Sequence, residues 1–453
     1  MGNGASVASG AIEGVSDQIE HLMRSNAGAI RSWLETAEQE EVTSAVYPLS
    51  DKARSKLAGA LDLARGYTRV QYVAYEICTM PHGFDTRYTG KDDWYVGKED
   101  IPEDIRGRVA LLREVLERVA ADPNVDQSPA TMKIFMAPEF LFRGPKGAYA
   151  LKHVLGTESR YAEAGESTIG SGQPVSADSL QAQLAQLTLE PKWRDWVCVF
   201  GTVVGYKAAG GAPAATAAET AAAGKSTADV VREEKYELYN VSLVQCGGCA
   251  SLEEAERRAR CVIKSSRSGI DFLNSAQFGG LANGDVTAML NPVDDESRTL
   301  AVAGDADTLE IDDDGLFTMN GVSFGLEICL DHAKHRLVRA CARSGAKVQV
   351  QLVPSGGMEI HADSICVEPG GLVFHCDGLK KGPKGTVRGF GAFSTAIQVS
   401  GDAKTSNALK PLAKYDPHAD WKKALDGLFL TDVDAPSATL YPPVALPTLP
   451  SAP

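Results

Sequence analysis

Stretches of buried-strand pattern and of amphipathic-helix pattern follow one another along most of the chain. The run RVQYVAYEI at 69–77 is apolar and rich in β-formers, which predicts a buried first strand. A helix is predicted over 102–121, because apolar residues recur there every three or four positions, at Ile105, Val109, Leu112, Val115, Leu116 and Val119. The segment MKIFMAP predicts the next strand. This β-α-β order indicates an α/β fold.

The alternation continues to about residue 400. Further strands are predicted in DWVCVFGTVVGY, YELYNVSLVQ, RCVIKS, LFTM, VSFGLEIC, KVQVQLV, GLVFHC and FSTAIQV. Asn320-Gly321 predicts a hairpin turn between LFTM and VSFGLEIC. A single helix is predicted from His332 to Ser344, with Gly345 as its left-handed cap.

Regions outside this alternation divide the chain. Residues 1–66 form a predicted helical N-terminal extension, because apolar residues recur at helical spacing over 11–65. The prolines after about residue 435 favour an extended tail over a packed element. Three stretches are too long for ordinary connectors: 156–190, 208–230 and 291–314. In the first of them, a helix is expected to cover the strand end that bears Glu139, since leucines recur at Leu180, Leu184 and Leu187.

Composition and charge narrow the class of protein. The 453 residues are 44% hydrophobic and 23% charged, which is typical of a globular chain, and the net charge of −14 disfavours a nucleic-acid partner. Nine scattered cysteines indicate a reducing compartment, so we expect a cytoplasmic protein. We expect neither a transmembrane segment nor a secretory signal. The opening MGNGAS fits a myristoylation pattern, so Gly2 is a candidate for membrane anchoring.

Three residues at predicted strand ends carry candidate chemistry. Cys329 follows an apolar strand and precedes a helix, where helix-start amides are expected to lower a thiol pKa and to bind an oxyanion. A thiol that attacks an amide or a nitrile also needs a proton acceptor and a cation for the developing charge. Glu139 in MAPEFLFRG and Lys264 in RCVIKSSRSG supply these two groups, each at the end of an apolar run.

The segments APEFLFRG, VIKSS and GLEICLDHAKHRLVRACARSGA resemble the nitrilase superfamily of carbon–nitrogen hydrolases, whose Glu, Lys and Cys follow strands in that chain order. The resemblance implies a four-layer α-β-β-α sandwich over residues 67–415, with 416–453 as a C-terminal extension, and a homodimer. It implies that Glu139 is general base and acid, that Lys264 stabilises the oxyanion together with the backbone N–H of Leu330, and that Cys329 forms a thioester or thioimidate. No metal or organic cofactor is expected.

The chain departs from the family pattern near the cysteine. Leu330 stands where members often have Tyr or Phe, and Lys334-His335 where they often have Pro-Glu. Asp271 is the candidate for a fourth acidic residue that positions substrate or water, the alternative being a loop-turn aspartate. Glu327 lies two residues before the cysteine and is either a pocket residue or a structural salt-bridge partner.

Other patterns predict competing sites. CGGC at 246–249, with Cys261, has the spacing of a zinc or redox site but lacks a fourth ligand. The HxxH at 332–335 has no third ligand nearby, and its histidines are expected to be solvated. A thiol dyad of Cys329 with His361 or His375 is the remaining alternative.

The sequence therefore predicts hydrolysis of a non-peptide carbon–nitrogen bond, with a small carboxamide as the favoured substrate. Nitrile hydrolysis, acyl transfer to an amine and a catalytically silent interaction protein remain as alternatives.

Overall fold

The computed structural model describes most of the chain after residue 65. The described residues are 66–81, 95–156, 178–208, 236–266, 268, 270–271, 288–289, 310–311, 314–379, 392–400 and 405–449. Gly2, the predicted helices of 11–65 and the stretch 209–235 lie outside them.

The larger sheet is mixed and contains the strands that precede Glu139 and Lys264. In this sheet the strand order is β15-β16-β1-β2-β4-β5-β6-β8, while β17 pairs with β1, β3 with β4 and β7 with β5. Strands β1, β2 and β4 run parallel, and β5 is antiparallel to both β4 and β6. Its strands are β1 (Arg69–Glu76), β2 (Thr131–Met136), β3 (Tyr149–Ala150), β4 (Trp196–Ala208), β5 (Tyr236–Cys246), β6 (Arg260–Ile263), β7 (Ala288–Met289), β8 (Glu310–Ile311), β15 (Ala413–Tyr415), β16 (Ser437–Leu440) and β17 (Val444–Ala445).

The second sheet contains the strand that leads to Cys329. Its order is β14-β13-β12-β11-β10-β9, in which β10, β11 and β12 are parallel. The predicted hairpin turn is confirmed, because Asn320 and Gly321 have φ of 52° and 77° between β9 and β10. Its strands are β9 (Leu316–Met319), β10 (Val322–Leu326), β11 (Val348–Ser355), β12 (Val367–Asp377), β13 (Phe393–Val399) and β14 (Ser406–Ala408).

The helices of the described residues are short apart from α1. They are α1 (Ile101–Ala120), α2 (Leu151–Leu155), α3 (Leu180–Leu187), α4 (Leu252–Arg257), α5 (Leu330–Ala333), α6 (Arg336–Ser344) and α7 (Trp421–Leu425), with 3₁₀ turns at Pro191–Trp193 and Ala362–Ser364. None of them is both long and apolar enough to cross a membrane. The predicted helix over 102–121 is confirmed, and its six predicted apolar residues all lie in one core cluster.

The two sheets pack on one another through an apolar core. Along β1, Tyr72 and Ala74 belong to a cluster shared with the second sheet, whereas Val73 and Tyr75 belong to the cluster that contains α1. The Tyr72 ring stacks on Phe374 of β12 with their centroids 4.5 Å apart. Alternation along the strand therefore gives the larger sheet one face toward the second sheet and one toward helices.

Helix α6 packs on the other face of the second sheet. A Cβ placed at Gly325 of β10 would lie 2.8 Å from Leu337 of α6, so glycine allows this close approach. Gly345 ends the helix at φ 71°, as predicted.

Two expectations about these elements are wrong, and a third is not tested. The helix predicted from His332 to Ser344 is divided into α5 and α6, because His335 adopts a left-handed conformation with φ 54°. The segment after residue 435 is packed: β16 is buried and pairs with β1, with Leu440 opposite Val73. Helix α3 is part of the core on the helical face of the larger sheet, and its role as a cover for Glu139 stays a prediction.

Candidate active site

The two sheets bring Glu139, Lys264 and Cys329 to one buried place. Glu139 lies three residues after β2, Lys264 directly follows β6, and Cys329 lies three residues after β10. Strand-like pairing continues past β10, since the N–H of Cys329 donates to the carbonyl of Pro354 at 3.1 Å. The three residues are at most 5% exposed.

Lys264 is held between two carboxylates. Its Nζ donates to Glu139 Oε1 at 2.8 Å and to Asp271 Oδ1 at 2.5 Å. Asn240, in β5, uses its Nδ2 to donate to the same two oxygens, at 2.8 and 3.2 Å. Because Nδ2 faces two acceptors, the orientation of the Asn240 amide is fixed. The loop residue Asp271 is therefore brought to the site, and Asn240 is a member that sequence reasoning missed.

The two oxygens of Glu139 have different surroundings. Oε1 accepts the hydrogen bonds from Lys264 and Asn240. The buried Oε2 accepts no hydrogen bond from the described residues. Cys329 and this carboxylate lie near enough that each affects the pKa of the other. Burial raises the pKa of Glu139 to about 7, with Asp271 acting in the same direction and Lys264 against it. Glu139 is thus suited to exchange protons near neutral pH.

The pKa values of Lys264 and Cys329 are shifted by burial and by the charged groups around them. Burial opposes the charge of Lys264, but Glu139, Cys329 and Asp271 outweigh it, and its pKa lies above the ordinary value. Burial and Glu139 raise the pKa of Cys329, although Lys264 and the backbone N–H of Gly356 act against them. The expectation that helix-start amides lower this pKa is wrong, because α5 has only four residues and the thiol is buried beside a carboxylate. The resting thiol is therefore neutral.

The backbone at Cys329 adopts a conformation that L-residues rarely take. Its φ is 50° and its ψ is −110°, at the N-terminal boundary of α5. Such outliers are costly and persist where the surrounding structure imposes them, often at functional sites. The next N–H, that of Leu330, donates no hydrogen bond to any described residue, so one donor beside the thiol remains available.

Asp331 ties the lysine-bearing segment to the cysteine-bearing helix. Its buried carboxylate accepts from the N–H groups of Ser265 and Ser266, at 3.0 and 2.6 Å, and from Arg336 at 3.0 Å. Arg336 also donates to the carbonyl of Ile263 at 2.7 Å. These contacts fix the position of Lys264 relative to Cys329. The sequence signal for this link was an acidic residue two positions after Cys329.

Glu327 was predicted to be either a pocket residue or a structural partner, and its contacts favour the structural role. Its carboxylate is bound to His332 Nδ1 at 2.6 Å, to Gln351 Nε2 at 2.7 Å and to the N–H of Leu337 at 3.2 Å. His332 Nε2 accepts from the N–H of His361, so Nδ1 carries the ring proton. His332 is fully buried, and the expectation that it is solvated is wrong.

The competing sites gain no support. Among the described residues, no cluster of three or more His, Cys, Asp or Glu could hold a metal, and none of the nine cysteines, those of CGGC included, forms a disulfide. His375 Nε2 is engaged with Ser355 Oγ at 2.7 Å, and His361 is exposed. The pKa of the Cys329 thiol is affected most by burial, Glu139 and Lys264, and not by a histidine.

Comparisons with known proteins find structural likeness but no match in sequence. No family model and no curated protein matches the chain. It is similar in structure to Nit3 of Saccharomyces cerevisiae, a member of branch 10 of the nitrilase superfamily, at 11% identity over 74% of this chain and 84% of that chain, with a TM-score of 0.32. An amidase from Nesterenkonia sp. has 12% identity over 84% and 91%, with a TM-score of 0.36. A carbon–nitrogen hydrolase from Helicobacter pylori G27 has 11% identity over 83% and 89%, with a TM-score of 0.32.

Proposed function

We propose that this protein hydrolyses a non-peptide carbon–nitrogen bond, most favourably that of a carboxamide, with Cys329 as the nucleophile. The observation that carries the proposal is the burial of the Cys329 thiol together with the ion pair of Glu139 and Lys264, near enough that Glu139 raises the pKa of the thiol. A thiol, a proton acceptor with a pKa of about 7 and a cation are the groups that acyl transfer through a thioester requires.

The first half-reaction forms the acyl-enzyme. Lys264 and Asn240 occupy Oε1 of Glu139, which leaves Oε2 to accept the thiol proton. As the C–S bond forms, the electron pair of the carbonyl moves onto its oxygen, and Lys264 and the N–H of Leu330 donate to this oxyanion. The oxyanion then collapses, Glu139 returns its proton to the nitrogen, and ammonia leaves a thioester on Cys329.

The second half-reaction uses the same groups with water. Glu139 takes a proton from water as its oxygen attacks the thioester carbon, and Lys264 and Leu330 again bind the oxyanion. Collapse of this second intermediate expels the sulfur of Cys329, which regains the proton from Glu139, and the carboxylic acid is released. No step requires an external oxidant or reductant.

The proposal extends to the architecture and assembly. The helical face of the larger sheet, the core between the sheets and the position of α6 support a four-layer α-β-β-α sandwich over 67–415. The extension 416–453 then adds β16 to the larger sheet. A cytoplasmic homodimer is part of the same proposal.

Ammonia release from a set of small amides tests the function. We expect turnover by the purified chain, loss of turnover in Cys329→Ala, and retention in Cys341→Ser, which changes a half-buried cysteine in α6. Mass spectrometry of a rapidly quenched reaction should show one acyl group on Cys329. Added hydroxylamine distinguishes transfer to an amine, which gives a hydroxamate. Turnover by folded Cys329→Ala at the rate of the unchanged protein would exclude the proposed nucleophile.

A further inference from the structure

Arg143 is a buried cation beside the candidate site, and within the described part of the chain no carboxylate forms an ion pair with it. It lies four residues after Glu139 and is 3% exposed. Its Nη2 donates to the backbone carbonyls of Asp271 and Ile270, at 2.6 and 3.2 Å. Its Nε and Nη1 donate to no described residue, and no described carboxylate forms an ion pair with it. A buried cation with open donors and no directly paired carboxylate is costly, so this arrangement suits an anion supplied by a ligand.

The other buried arginines near these strands show the contrast. Arg108 binds Asp104 through Nε at 2.8 Å and donates its remaining hydrogen bonds to backbone carbonyls. Arg336 is paired with Asp331 at 3.0 Å. Arg143 alone among these three has open donors. Burial lowers its pKa, while Tyr95, Asp271 and Glu139 act in the opposite direction.

Aromatic rings hold the Arg143 guanidinium in place. Its Cζ lies 4.1 Å from the ring centroid of Phe140 and 4.9 Å from that of Tyr95. Stacking covers the flat faces of the group and leaves its edge for hydrogen bonds. Arg143 lines a largely apolar cavity together with Met80, Tyr95, Phe140 and Phe429. The cavity therefore offers an apolar wall and one unsatisfied cation.

The open cation and the proposed oxyanion donor are a short distance apart. Lys264 Nζ lies 5.8 Å from the same Phe140 centroid, so the two cations are separated by no more than the sum of 5.8 and 4.1 Å. Asp271 connects them directly, since its carboxylate binds Lys264 and its backbone carbonyl binds Arg143. This connection fixes the spacing between the two positive groups.

We propose that Arg143 binds a carboxylate of the substrate, so that the substrate is a monoamide of a short dicarboxylic acid. The amide carbonyl would lie at Cys329 and Lys264, and the free carboxylate, a few carbon atoms away, would lie at Arg143. The inference rests on the proposed hydrolysis, because it takes the reacting carbonyl to be at Cys329. Charge-assisted hydrogen bonds of this kind contribute about 10- to 100-fold in affinity.

Matched substrate pairs test the inference. Succinamate is compared with 4-oxopentanamide, and glutaramate with 5-oxohexanamide. In each pair the first amide ends in a carboxylate and the second ends in a neutral methyl ketone. The unchanged protein should prefer the anionic member in kcat/KM by at least tenfold. Arg143→Gln should lower this preference by about 10- to 100-fold, mainly by raising KM for the anion, and Arg143→Lys should retain part of it. Lys192→Gln, which removes an exposed charge paired with Glu117, should keep the full preference.

Binding provides a readout that is independent of turnover. Succinate and glutarate should raise the melting temperature of the unchanged protein, and should raise that of Arg143→Gln much less.

Equal turnover within each substrate pair, or an Arg143→Gln variant that keeps the preference, would overturn the inference and leave the proposed hydrolysis intact. If Arg143→Gln does not fold, Arg143→Lys decides the point, because a full preference in that variant contradicts recognition by the guanidinium. Dicarboxylate binding without any amide turnover would instead refute the proposed function and retain the anion site. Absence of both would overturn both.

Discussion

Replacing Asp271 by Asn should shift the pH dependence of the reaction toward acid. The amide keeps an oxygen for Lys264 but removes the negative charge that helps to raise the pKa of Glu139. The variant therefore separates the charge of Asp271 from its role as a hydrogen-bond acceptor.

The expected size of the shift follows from the contacts with Lys264. Glu139 Oε1 and Asp271 Oδ1 lie 2.8 and 2.5 Å from Nζ, so they can be no farther apart than the sum of these distances. Two unit charges about 5 Å apart repel by about 3 kcal/mol at an effective dielectric constant of about 20, which corresponds to about two pH units. Each charge is spread over two oxygens, one of them more distant, so we expect a fall of about one to two units in the pKa of Glu139.

The acid limb of kcat/KM measures this pKa in the free enzyme. Glu139 must be ionised to accept the thiol proton, so the unchanged protein should lose activity as the pH falls through about 7. In Asp271→Asn the limb should move to between about 5 and 6. Ammonia release at substrate concentrations well below KM gives the profile, and Asp363→Asn, which changes an exposed carboxylate, is the control.

An unchanged limb in Asp271→Asn would mean that the charge of Asp271 does not act on the ionising group. A limb that moves toward higher pH would contradict the sign of the electrostatic reasoning altogether. A shift of the acid limb in Asp363→Asn as large as that in Asp271→Asn would indicate a general effect of losing one negative charge.

Other variants and reagents give further predictions. Lys264→Met should lower the free energy of unfolding by about 3 kcal/mol at pH 8, because two buried carboxylates lose their shared cation. Its turnover should fall at least 100-fold. A denaturant titration that shows no loss of stability would contradict the ion pairing. Glu139 binds its proton more tightly in the folded chain, so stability should decline by about 3 kcal/mol as the pH rises from about 4.5 to 7. In Glu139→Gln this decline should be absent. The neighbouring Cys366 thiol lowers the pKa of half-buried Cys341. Peptide mapping after brief iodoacetamide treatment should therefore find Cys341 alkylated before Cys329. The reverse order would mean that the Cys329 thiol is ionised in the resting protein.

Local sequence pattern determined the elements around the site. The apolar positions of α1 and the positive-φ turn at Asn320-Gly321 depend on residues a few positions apart, so periodicity and turn chemistry were sufficient to predict them. Placement of Glu139, Lys264 and Cys329 at strand ends came from the same local pattern.

Long-range packing decided what local pattern could not indicate. Strand β16 exists because it pairs with β1 at the opposite end of the described chain, and a short proline-flanked segment gives no local signal of such a partner. Asn240 is one polar residue in an apolar strand, and its function as a donor depends on two carboxylates from distant segments.

Electrostatic properties depended most on the tertiary structure. The sequence predicts a lowered pKa for Cys329 from its position before a helix, but burial and the neighbouring Glu139 raise it. Arg143 is likewise an ordinary arginine in the sequence, and only the folded chain buries it with two open donors beside the site. A pKa and an unsatisfied charge reflect the groups and the solvent within a few ångströms, and those neighbours are set by residues far apart in the sequence.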